Sequence, residues 1–264
     1  MEPDRFHRVV PGYDKRGRHE SGGVTVIQET SERPNEVAND SQWCFAWAAP
    51  RPGQSGQDRA ALVRDARWTP GDVITVSFLD GDPEVQARVA DVAGQWTAPG
   101  MANLTLDFRR DTDTMIRISF QYEGSWSVIG TTCRQITDRG QPTMNYGWLD
   151  RSSPDDELER VVLHEFGHAL GLIHEHQNPA GGINWDRAAV MRELSGPPNN
   201  WSPEVIELNM FQPHSAQETN FTELDPDSIM MYPIPKTWTI GGFSIGLNSG
   251  LSEQDRAFIR EQYA

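Results

Sequence analysis

The chain has 264 residues at 29.7 kDa, enough for one large domain or two small ones around a sizeable core. With 38 acidic against 23 basic residues the formal net charge is -15, which argues against a nucleic-acid or anionic-membrane surface and favours solubility. Two cysteines permit at most one internal disulfide, so this is no disulfide framework, and no apolar run is long enough to span a bilayer.

Residues 1–67 are polar and rich in Gly, Pro and Arg. The first seven residues have neither a basic n-region nor an apolar h-region, so no signal peptide is recognisable. A strand is expected over 24–27, an aromatic knot around Cys44 at Trp43, Phe45 and Trp47, and a flexible linker over 51–57. The whole stretch reads as an arm or pro-segment, with a disordered leader as the alternative. The alternation of Trp43, Phe45 and Trp47 with smaller residues favours docking of that part.

From residue 68 the pattern sharpens. A strand over 73–79 precedes a helix over 82–96, where Asp82 caps, Pro83 takes the first turn, and Val85, Val89, Val92 and Trp96 share the face expected to meet a sheet. Strands over 104–108 and 115–120 follow, and this β-α-β order implies a mixed sheet with a helix packed on it. Residues 124–130 read as an aromatic loop and 143–148 as a short strand. A helix then begins near Ser153 as N-cap, with Pro154 in its first turn and acids at its positive end. Beyond residue 174 the chain is irregular, with helices expected over 185–194, 202–210 and 252–263.

The central helix carries His164-Glu165-x-x-His168-x-x-Gly171-x-x-His174. Residues four apart share a helix face, so His164 and His168 can offer imidazoles to one ion with Glu165 beside them. Gly171 can turn left-handed, end the helix and bring His174 round as a third ligand. Three neutral imidazoles suit Zn2+ and leave a fourth position for water, the arrangement of a catalytic site. His176 is expected to be a loop or supporting residue, since four protein ligands would close the site. His7, His19 and His214 have no pairing pattern and are expected at the surface.

At these residues the chain resembles the metzincin zinc endopeptidases, whose signature is this long histidine run. Glu175 directly after the third histidine, together with Ser228, Met230 and Tyr232, is similar to the astacin pattern, although Met231 stands where that family usually has His. The resemblance implies an α/β (α+β) catalytic domain over 68–264: a sheet-bearing upper half over 68–174 and an irregular lower half over 175–264 with a closing helix. It implies a mixed twisted sheet with an antiparallel edge strand, placed at 143–148, that holds substrate through Thr143, Met144, Asn145 and Tyr146 by strand addition. It implies zinc-dependent hydrolysis of peptide bonds by an activated water, with Glu165 as general base and Tyr232 as oxyanion donor. Met230 becomes the Met-turn residue beneath the metal, and Pro233, Ile234 and Pro235 one wall of the primed-side pocket. The expected partner is a protein or peptide substrate, with neither nucleic acid nor membrane, and a monomer is the favoured oligomeric state. An extracellular setting follows from the family, against the lack of a signal peptide.

A different class is a zinc-stabilised binding protein that keeps the motif without turnover; retention of Glu165 speaks against it. For Cys44 three readings stand open: a thiolate that ligates the zinc and holds the enzyme latent, a disulfide to Cys133, or a buried free thiol.

Overall fold

The computed structural model describes the backbone of residues 44–47, and residues 66–197, 199–213 and 223–264. The strand expected over 24–27, the linker over 51–57, and His7, His19 and His214 lie outside the described residues.

The expected β-α-β pattern forms as β2 (Val73–Phe78), α1 (Pro83–Ala93) and β3 (Thr105–Arg109), followed by β4 (Ile116–Ser119). The Asp82 side chain accepts the Glu84 N–H at 2.8 Å, and Val85 and Val89 are buried. Chain continues from α1 through a 3-10 turn, Gly94–Thr97, that carries Trp96 into the core while Val92 packs at its margin.

Six strands form one sheet in the order β1-β5-β6-β4-β2-β3, where β1 is Cys44–Trp47, β5 is Ser125–Val128 and β6 is Met144–Tyr146. Strands β2, β3, β4 and β6 run parallel, and among the described strands the direction reverses at the antiparallel pair β5–β6. Two expectations are corrected here. Residues 125–128, within the stretch expected to be a loop, are a buried strand. Strand β6 is not the edge: it pairs with β4 on one side and β5 on the other, so its backbone groups are taken up within the sheet. Thr143, Met144, Asn145 and Tyr146 are all buried. Thr143 Oγ1 accepts the Arg117 N–H at 2.9 Å, and the Asn145 amide donates to the carbonyls of Tyr122 and Gly124 at 2.9 and 2.6 Å. These side chains are engaged inside the fold, and the backbone of β6 offers no free edge for strand addition. The reversed strand is β5, whose outer edge is covered by β1 in parallel register, Cys44 opposite Ser125 and Trp47 opposite Val128.

The central helix α2 (Asp155–Ala169) packs against α1, β5 and β1. Below it lie α3 (Arg187–Leu194), α4 (Pro203–Ile206) with a π-helical continuation Glu207–Phe211, and the closing helix α5 (Glu253–Gln262). One apolar core runs from Trp68 to Tyr263 and includes Phe166, Met230 and Tyr232. Among the described residues no helix is long and apolar enough to cross a membrane.

Candidate active site

Helix α2 is fixed at both ends. Its N-cap is Pro154, one residue later than expected, and Asp155, Asp156 and Glu157 occupy the positive first turn. Ser153 instead accepts the Asp150 N–H on its hydroxyl at 2.9 Å, closing the turn that leads into the helix. At the C-terminus every late carbonyl has a donor. Phe166 receives Leu170 N at 2.9 Å, Gly167 receives Leu172 N at 3.0 Å and His168 receives Gly171 N at 2.8 Å. This is a Schellman closure, with Gly171 at φ +99° as the left-handed residue it requires. Ala169 receives the Trp68 indole N–H at 2.8 Å, and Leu170 receives the Tyr263 hydroxyl. Further up, the Trp96 indole N–H donates to Leu163 at 3.0 Å.

The sharp stop returns the chain, and three imidazoles converge. His164, His168 and His174 are buried, and their ligand nitrogens all lie within 4.8 Å of one another. His168 Nε2 and His174 Nε2 are 3.1 Å apart. Tetrahedral zinc with bonds of about 2.0–2.1 Å separates its ligand nitrogens by roughly 3.3–3.4 Å, so the His168–His174 spacing fits. The Nδ1 atoms of His164 and His168 donate to the carbonyls of Ile229 and Leu172 at 2.8 and 2.9 Å, which turns both Nε2 lone pairs towards the gap. His164 Nε2 is buried with no hydrogen-bond partner, as a nitrogen awaiting a metal would be. Burial, reinforced by His168, holds His164 well below the ordinary imidazole range, so it stays neutral as ligation needs. Glu165 is fully buried beside it.

No family model matches the sequence, and no curated protein matches it. A solved structure of myroilysin does: it is 42% identical over 76% of this chain and 97% of that chain, with a TM-score of 0.73. A crystal structure of myroilysin matches at 36% identity over 90% of this chain and 99% of that one, TM-score 0.61. The chain belongs to the astacin family of zinc metalloproteases. In fold it also resembles high choriolytic enzyme 1, a hatching enzyme zinc-protease from Oryzias latipes (medaka fish), at 19% identity over 75% of this chain and 94% of that chain, TM-score 0.51.

In this astacin-family enzyme the turn over 228–232 closes the site from below. Met230 is buried against the helix at Gly167, where a Cβ would stand 2.3 Å from the Met230 sulfur. That approach explains a glycine inside HExxH, a position otherwise disfavoured in a helix. The Tyr232 ring lies 4.2 Å from that of His174 and 6.1 Å from that of His164, between centroids. His176 is no ligand to the triad: its Nε2 donates to the Asn209 carbonyl at 2.7 Å and its ring stacks on Tyr232 at 4.6 Å. Among the described residues no second group of His, Cys, Asp or Glu could hold a metal. Cys133 is a free, buried thiol that burial pushes up to about 12.

Sequence reasoning missed the residues that hold this arrangement. Trp68 and Tyr263 clamp the helix end, and Asp255 ties the closing helix to the turn. Only the Ser252-x-x-Asp255 pattern carried a signal, and that signal points to a helix cap.

Proposed function

We propose that the chain is an endopeptidase in which one zinc ion, held by His164, His168 and His174, works with Glu165 and Tyr232 on an extended peptide. Bound zinc supplies a Lewis acid that acidifies water and polarises a carbonyl. Glu165 takes the proton of the attacking water and passes it to the leaving amine. The Tyr232 hydroxyl donates to the developing oxyanion, a role supported by its ring lying against His174. The substrate backbone adds as a strand to the outer edge of β5, the reversed strand, in place of the internal β6.

The observation that carries this reading is the complete burial of Glu165 beside a converged triad. Burying a carboxylate costs several kcal/mol in real proteins, a cost with no purpose in a zinc-stabilised binding module. The test is casein cleavage with and without a chelator, by the wild type and Glu165→Ala. Glu165→Ala should keep its zinc and its Tm and lose about three or more orders of magnitude of activity. Near-normal turnover in that variant would remove Glu165 as base. A zinc-loaded wild type lacking residues 1–67 that cleaves nothing would favour the binding module.

Residues 1–67 act in this reading as an arm that precedes a catalytic unit over 68–264. One feature supports it: β1 belongs to that stretch and takes up the β5 edge a substrate needs. Arm and substrate then compete for one set of backbone groups. Cys44, at the start of β1, would serve as the latency ligand, a thiolate being a strong ligand for zinc. With Cys133 buried and free, the disulfide reading is set aside.

A further inference from the structure

The closing helix contributes one buried carboxylate that sequence patterns assign to capping alone. Asp255 is 5% exposed, and its oxygens accept three hydrogen bonds, one from the helix N-cap and two from the turn over 228–232. Asp255 Oδ1 accepts the Ser228 hydroxyl at 2.7 Å, and Oδ2 accepts Ile229 N–H at 2.8 Å and Ser252 N–H at 3.0 Å. The Ser228 hydroxyl in turn accepts Met230 N–H at 3.0 Å. On the other face of the same residue, the Ile229 carbonyl accepts the His164 Nδ1–H at 2.8 Å.

We infer that Asp255 is a positioning residue for the metal site, setting the orientation and tautomer of His164 through the backbone of Ile229. The inference rests on reading the histidine triad as a zinc site. One carboxylate fixes two consecutive residues of the turn, so the Ile229 carbonyl cannot swing away from the imidazole without breaking charge-assisted bonds. The carbonyl holds the proton on Nδ1, which leaves the Nε2 lone pair for the metal. Outer groups of this kind change metal affinity by about 10–100-fold when removed. A cap alone would explain the Ser252 bonds and nothing at Ser228 or Ile229.

Asp255→Asn and Ser252→Ala separate the two roles, because Ser252→Ala removes the hydroxyl that accepts Asp255 N–H at 2.8 Å and donates to Asp225 at 2.6 Å, and leaves the Asp255 bonds to Ser228 and Ile229. Zinc affinity is measured by competition with a chromophoric chelator on the full chain, and the visible spectrum of the cobalt(II)-substituted protein reports ligand orientation. Asp255→Asn should weaken zinc about 10–100-fold and shift the cobalt bands, with Ser252→Ala close to wild type in both. Equal affinity in Asp255→Asn and wild type, or an equal loss in Ser252→Ala, overturns the inference. A wild type that binds no zinc overturns instead the metal reading beneath it. Should Asp255→Asn not fold, Ser228→Ala takes its place: it removes one bond between carboxylate and turn and should speed zinc release severalfold, and unchanged release overturns the inference.

Discussion

Replacing Gly167 by Ala sets a methyl group into the closest contact between the zinc helix and the turn beneath it. The new Cβ would stand 2.3 Å from the Met230 sulfur, 3.2 Å from its terminal methyl and 3.3 Å from Trp96 Cζ2. The Trp96 contact needs a few tenths of an ångström of relief, but the sulfur must move by more than an ångström, and Met230 is 1% exposed. Overpacking of this kind costs about 1–3 kcal/mol, while Gly→Ala inside a helix returns about 1 kcal/mol. The net loss is therefore up to about 2 kcal/mol, a fall in Tm of up to roughly 8 °C for a domain of this size. The sign in a second background is decisive. Met230→Ala alone leaves a cavity and costs about 2–5 kcal/mol, but with the sulfur gone, Gly167→Ala should stabilise by about 1 kcal/mol. The double-mutant cycle should then show coupling above about 1 kcal/mol. Thermal melts of the four proteins measure it, with zinc affinity measured in parallel because Ile229, whose carbonyl holds His164, adjoins Met230. If Gly167→Ala changes Tm by the same amount in both backgrounds, the Met230 contact does not explain the glycine.

The other predictions concern the site and the arm. His174→Ala should lose zinc on dialysis, because His176 already spends its Nε2 on Asn209 and cannot replace it; full occupancy would exclude His174 as third ligand. Tyr232→Phe keeps the ring that packs on His174 and deletes the hydroxyl, so kcat should fall about 100-fold with little change in KM, and an unchanged kcat would leave Tyr232 as packing only. Cys44→Ala, or removal of residues 1–67, should raise activity, whereas no activation would end the latency reading. The zinc-free denatured protein should show two titratable thiols without reductant, and Cys133 in the folded protein should resist alkylation at pH 8, since burial pushes its thiol up to about 12.

What the sequence made legible is what depends on short-range repetition. Helical spacing predicted the buried face of α1 at Val85 and Val89, with Trp96 buried in the turn that follows, and the four-residue interval of His164 and His168 predicted their shared face. Gly171 was readable because one conformation, φ +99°, suits few other residues. Strand β5 was not readable. Its Ser-Trp-Ser-Val alternation is four residues long and sits between Gly124 and Gly130, so local chemistry signals a loop while pairing across the sheet decides for a strand.

The edge was misplaced for a related reason. Strand order is a property of the whole sheet, and Met144 to Tyr146 read the same whether one side or both sides are paired. The supporting contacts of the site share this character. Trp68 reaches Ala169 across 101 residues, and Asp255 reaches Ile229 across 26, through hydrogen bonds to backbone atoms that carry no side-chain signature. A motif therefore names the groups that touch the metal, since their chemistry restricts which residues can serve. The groups that aim those ligands need only supply a donor or acceptor at one point in space, and many sequences can do that. In this metalloprotease the carboxylate of Asp255 is such a group, which is why its substitution, more than that of a recognised ligand, tests whether the geometry of the site has been understood.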